Sequence, residues 1–178
     1  MKTIEVPVRE QVSEASQLIF DQLQKRMGKV PNLYATIGYS GSALKGFMDF
    51  DGALSHGVFT GKEREAIALI VSEINACAYC LAGHTLAAMK NGFSKEDTLN
   101  IRRGKTADGK LNAVIALAKS VTVNKGHADA QALADFYAAG FTEAAIMELI
   151  GLVTVRIFTN YVFALTEIPV DFPVAEKL

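Results

Sequence analysis

Apolar residues recur every three or four positions along nearly the whole chain, the spacing of amphipathic helices with about 3.6 residues per turn. That pattern predicts helices over 9–27, 41–55, 61–75, 77–91, 94–103, 109–124, 128–139 and 142–165. Asp51-Gly52, Asn91-Gly92 and Asp108-Gly109 could each close a hairpin, but none is flanked by runs of period two, so no strand is predicted. Gly28 with Pro31, Gly57, Gly92, Gly104, Gly126 and Gly140 fall where helix ends are wanted. Ser94 followed by Asp97, and Thr142, suit N-caps. The tail around Pro169 and Pro173 should be irregular. With no Ser- or Pro-rich linker, the expectation is one all-helical domain, a helical bundle over 1–178. Within it lie N-terminal helices (1–57), a central pair (58–92) and C-terminal helices with a tail (93–178). VFTGKEREAIALIV (58–71) echoes GFTEAAIMELIGLV (140–153), and at the same offset Tyr79 falls opposite Tyr161 and Cys77 opposite Thr159. The echo hints at two related helical hairpins, only one of them bearing thiols.

Composition narrows the function. The chain has 178 residues, half of them hydrophobic, a net charge of −1 and no Trp. That balance excludes disorder, and scattered Lys and Arg offset by acids give no nucleic-acid surface. The N-terminus MKTIEVPVREQVSEASQL carries charge throughout and lacks a secretory apolar core. No unbroken apolar run approaches the about 20 residues of a membrane span. The expected compartment is therefore the cytosol, where a close Cys pair is more often catalytic or metal-binding than structural.

The chemistry concentrates in CAYCLAGH (77–84), which holds both cysteines and one of three histidines. On a helix Cys77, Cys80 and His84 lie within about 60° of one another, so thiols and imidazole can face one pocket. The imidazole can take a thiol proton or stabilise a thiolate, and a helix start near Asn75–Cys77 adds its dipole. A second thiol can resolve a sulfenic acid to a disulfide. As a mere staple the pair closes too small a loop to stabilise much. Zinc would find three ligands here and would need a fourth from Glu65, His56 or His127. Inert, buried cysteines are the bland alternative. Two acids compete to orient His84. Glu73, four before Cys77, shares the thiol face of an unbroken helix, whereas Glu65, twelve before, lies about 120° away unless the chain bends. Asn75-Ala76-Cys77 offers such a bend, yet spacing alone favours Glu73.

GKEREAIALIVSEINACAYCLAGHTLAAMKNGF (61–93) closely resembles the core of the carboxymuconolactone decarboxylase-like superfamily, in its alkyl hydroperoxidase D branch. The family pattern of Glu, eleven residues, Cys-x-x-Cys, three residues, His reads here as Glu65, Cys77, Cys80 and His84. Val30-Pro31-Asn32 and Ile168-Pro-Val-Asp-Phe-Pro173 add looser echoes. The resemblance implies an all-helical peroxidase-type fold, usually a trimer or hexamer, with no need for flavin, haem or nucleotide; no metal ligand set is assigned. It implies that Cys80 attacks a hydroperoxide, Cys77 resolves it, Glu65 and His84 relay protons, and a dithiol or lipoylated protein restores the pair. Where many relatives carry Asn-His, this chain has Asn160-Tyr161. Decarboxylase members lack the Cys pair. Alternatives are a non-catalytic redox-sensing module and a disulfide reductase serving another peroxidase.

The remaining candidates read as structural. His56 suits a helix C-terminus and His127 an exposed turn. Phe47, Phe50 and Leu54 form a helical stripe that belongs to the core, or to an apolar wall if it faces the thiols. Arg156 stands in an apolar helix and needs an acid, Glu148 or one across a subunit interface.

Overall fold

A computed structural model describes residues 4–178. Nine α-helices fill them: α1 (Glu14–Met27), α2 (Asn32–Ile37), α3 (Gly41–Leu54), α4 (Gly61–Ile74), α5 (Ala78–Lys90), α6 (Lys95–Arg102), α7 (Gly109–Val123), α8 (Ala130–Ala138) and α9 (Glu143–Thr166). No strand occurs among the described residues, and the chain forms a single all-helical domain.

The helix starts follow local chemistry. Ser13, Ser40, Asp108 and Asp129 accept backbone N–H groups as N-caps, and Thr60 with Glu63 and Ser94 with Asp97 form reciprocal capping boxes. Thr142 occupies its cap position without a side-chain bond. Two elements differ from the sequence expectation. The first helix begins at Glu14, because Ser13 caps it, and Arg9–Gln11 form a separate 3-10 turn. Helix α2 was not expected; at six residues it is too short to show a period, and Pro31 starts it.

Helix α4 runs through the middle of the bundle, and every residue from Ala66 to Ser72 is buried. It packs on α5, α6, α7 and α9. Its apolar side chains meet Val114, Ile115 and Leu117 of α7 and Leu149 and Leu152 of α9 in one core cluster. Each such side chain contributes about 1.5–3 kcal/mol on burial. A second cluster joins Phe20, Leu33, Leu44 and Phe47 from α1–α3 to Tyr79 and Cys80 of α5 and Val155 of α9. The site lies between these two clusters.

Helix α9 is the one described helix long and apolar enough to cross a membrane by length and composition. The unbroken-run criterion passes over it because Arg156 and Asn160 interrupt it. Those two residues and Thr159 lie on its buried face, so within the bundle α9 is a core helix. It also passes the positions opposite Cys77 and Tyr79 without a bend. The echo with 58–71 therefore extends to the helix itself and not to the turn after it.

Candidate active site

The site is made by the elbow between α4 and α5. Asn75 ends α4, Ala76 turns the chain in the left-handed region (φ 51°), and Cys77 caps α5. Such a φ costs a non-glycine residue about 1–2 kcal/mol, so something must hold it. The Cys77 N–H donates to the Ser72 carbonyl at 2.9 Å, and the Asn75 side chain donates to Asn160 Oδ1 at 2.9 Å. Asn160, fully buried on α9, donates in turn to Ser72 Oγ at 3.3 Å. Asn160 thus braces the bend, a role its place beside Tyr161 does not suggest.

Cys77 and Cys80 are joined as a disulfide. Cys80 sits in the first turn of α5, its N–H donating to Cys77 Sγ at 3.2 Å. A thiolate at Cys80 would face the positive end of the α5 dipole, which lowers a thiol pKa. Both residues are buried, but they are not equivalent. Cys80 lines a cavity of about 370 Å³, while Cys77 is buried and does not line it. That volume is in the range of about 300–1,000 Å³ used for small organic ligands.

The bend decides which acid reaches His84. Glu65 Oε2 lies 2.8 Å from His84 Nδ1, and both line the cavity. Glu73, the acid that spacing favours, points away and accepts from Arg102 Nε at 2.7 Å. The ideal-helix estimate fails because the chain is not one helix from 65 to 84. The partner of Arg156 also differs from expectation. Glu148 accepts from the Val58 N–H at 2.6 Å instead, and Arg156 pairs with Asp51 of α3. Its other terminal nitrogen lies 3.3 Å from His84 Nε2. Glu65, His84, Arg156 and Asp51 therefore form one chain of contacts across α4, α5, α9 and α3.

Asp51 is the residue sequence reasoning missed, although a signal existed. It stands on the face of α3 between Phe47 and Leu54, as Arg156 stands among the apolar residues of α9. Two opposite charges on two apolar faces are candidates for each other. Burial lowers the Arg156 pKa, with neighbouring Tyr34 acting against it. Burial likewise raises that of Tyr34, with the Arg156 charge opposing.

The remaining wall is largely apolar, from Met27, Leu33, Leu86, Leu152 and Phe172. None of Phe47, Phe50 and Leu54 lines the cavity; Phe47 is core and Phe50 is exposed. Phe172 is carried there by the C-terminal tail. The Tyr79 hydroxyl donates to Asp171, Lys29 Nζ meets Asp171 at 2.8 Å, and the same ammonium lies 4.1 Å from the Phe172 ring centre. Burial works to raise the Asp171 pKa, but bonds from Lys29, Tyr79 and the Asn32 N–H outweigh it and hold that pKa below the usual value. Tyr79 is pushed up, first by burial and then by Asp171. His56 and His127 are exposed, His56 in the turn after α3 and His127 between α7 and α8. Among the described residues no group of three or more His, Cys, Asp or Glu is set to hold a metal ion.

The model of the carboxymuconolactone decarboxylase family matches residues 42–122, a span containing Asp51, Glu65, both cysteines and His84 but not Arg156. No curated protein matches in sequence. Among solved structures, a variant of the debrominase Bmp8 in complex with 2,3,4-tribromopyrrole superposes with a TM-score of 0.80 at 17% identity, covering 96% of this chain and 93% of that one. An uncharacterized peroxidase-related protein from Silicibacter sp. TM1040 gives 0.78 at 22%, covering 93% and 91%. The alkylhydroperoxidase AhpD core of a peroxidase-related protein from Ralstonia eutropha JMP134 gives 0.80 at 18%, covering 92% and 90%. At these identities the structures speak for the fold. Residues 42–122 thus resemble the carboxymuconolactone decarboxylase family, and the chain as a whole has an all-helical fold like that of the alkylhydroperoxidase AhpD core.

Proposed function

We propose that the protein is a dithiol peroxidase that reduces organic hydroperoxides at Cys80. The observation that supports this reading is the cavity: Cys80, His84 and Glu65 all line it, and Cys77 is bonded to Cys80. In the reduced enzyme the Cys80 thiol gives its proton to His84, whose ring is held by Glu65. The thiolate attacks the terminal peroxide oxygen. An S–O bond forms, the O–O bond breaks, and the alkoxide takes a proton from His84 to leave as alcohol. The Cys77 thiol then attacks the Cys80 sulfenic acid and releases water, which leaves the disulfide. A dithiol or a lipoylated protein reduces that disulfide by exchange and leaves oxidised. The substrate is organic because much of the lining is apolar and the volume exceeds what hydrogen peroxide needs. Residues of this chain supply the peroxide-reducing steps, and the external dithiol supplies the electrons that close the cycle.

The cytosol is the proposed compartment, since it supplies reducing dithiols. The proposed assembly is a homo-oligomer, a trimer or hexamer. Met147, Ile150, Thr154, Phe158, Tyr161 and Leu165 are exposed at spacings of three and four along α9. A lone chain would leave that stripe in water.

A second reading keeps the same two-electron couple and changes the electrophile. The likeness to a debrominase and the size of the cavity favour testing a brominated heteroaromatic beside peroxides. Turnover of cumene hydroperoxide with dihydrolipoamide is the test. Loss of turnover in Cys80→Ser supports the peroxidase. No consumption of any organic peroxide, with tribromopyrrole consumed instead, would move the assignment to dehalogenation.

A further inference from the structure

The contacts of His84 are asymmetric in a way that determines its proton. A guanidinium carries only donors, so Arg156 can hydrogen-bond His84 Nε2 at 3.3 Å only while that nitrogen is unprotonated. The ring proton is then on Nδ1, where Glu65 accepts it at 2.8 Å. A proton reaching Nε2 would set N–H against N–H and an imidazolium against a guanidinium. The two neighbours therefore act in opposite senses: Glu65 favours the charged ring, and Arg156 disfavours it. Asp51 neutralises part of the Arg156 charge and so reduces its effect on the ring.

We infer that Asp51 and Arg156 are positioning residues that set the proton of His84: Arg156 keeps Nε2 unprotonated in the resting site and must give up that contact when the ring takes a proton from Cys80. Within this pair Arg156 opposes protonation and Asp51 limits how strongly it does so. The last step, transfer from Cys80, rests on the peroxidase reading; the proton equilibrium of His84 does not.

The side chains of Glu65, His84 and Arg156 are 19%, 20% and 10% exposed, so salt screens them poorly. The other titratable groups around the ring do not replace the pair. Tyr34 of α2 is kept neutral by burial, and Tyr79 of α5 is engaged by Asp171. Arg64 of α4 donates to the Phe59 carbonyl, and Lys90 lies at the exposed end of α5.

The test is nitrogen NMR of His84 in the oxidised protein, at a fixed pH near the unperturbed histidine value of about 6.5. The wild type should show a protonated Nδ1 and a bare Nε2 in its neutral form. Arg156→Met should raise the ratio of imidazolium to imidazole about tenfold or more, the size of a charge contact. Asp51→Asn should lower that ratio, and Arg156→Lys should stay near the wild type. A merely structural ion pair would move both neutralising variants in the same direction or move neither. The inference is overturned by a wild type protonated at Nε2 when neutral, by no change in Arg156→Met, or by like-signed changes in the two variants. If Arg156→Met does not fold, the downward change in Asp51→Asn decides alone. The oxidised protein does not turn over peroxide, so failure here leaves the peroxidase reading standing, and failed turnover leaves this inference standing.

Discussion

Single residues divide the labour at the cavity, and their substitution should separate roles that lie close in space. Cys80→Ser removes the sulfur on the cavity wall and is expected to abolish peroxide consumption. Cys77→Ser should still react once and stop at the sulfenic acid, trapped by a dimedone-type reagent. Glu65→Gln leaves His84 Nδ1 without its carboxylate, and alkylation of Cys80 near pH 7 should slow about tenfold or more, the scale of a lost general-base partner. Glu73→Gln should leave that rate unchanged, because Glu73 is committed to Arg102. Equal slowing by both acids would contradict the site as drawn. Glu65, Cys77, Cys80 and His84 were legible because the resemblance fixes them at exact spacings. Residue geometry without it prefers Glu73, since a single left-handed residue, Ala76, is invisible to helical periodicity. Asp51 was not legible as a partner: it lies 105 positions from Arg156, and only the packing of α3 on α9 brings them together.

Among the elements, the α4–α5 elbow matters most, because it turns two helices into one site. Its strained residue is held by a buried polar network through Asn160, Asn75 and Ser72. Asn160→Ala leaves Asn75 and Ser72 without that partner and should destabilise the fold by about 1–3 kcal/mol in chemical denaturation. It should also lower the thiol reactivity of Cys80 by loosening the turn. Asn160→Ala with unchanged stability would show that the elbow is held elsewhere. The long helices were legible because their apolar faces repeat and their caps are Ser, Thr or Asp. Helix α2 was not, and it matters, since it supplies Leu33 and Tyr34 to the cavity. Six residues give fewer than two turns, too few for a period.

At the scale of the whole molecule the chain is one bundle whose tail lines its own cavity. Asp171 anchors that tail and has a folded pKa below its unfolded value. Its contribution to stability is therefore complete above an unfolded pKa of about 3.9 and is lost as the pH falls through the lower folded value. Asp171→Asn should flatten the stability–pH curve in that acid window, as read by thermal melts; an unchanged curve would contradict the anchor. The exposed α9 stripe predicts that Tyr161→Glu with Leu165→Glu shifts sedimentation toward a monomer, and a wild type that is already monomeric would refute the proposed assembly. The central claim is the dithiol cycle, and a single-turnover experiment on reduced protein tests it most directly. Organic hydroperoxide consumed should equal Cys77–Cys80 disulfide formed, mole for mole, in wild type and not in Cys80→Ser. Disulfide formation without loss of peroxide, or peroxide loss that survives Cys80→Ser, would contradict it.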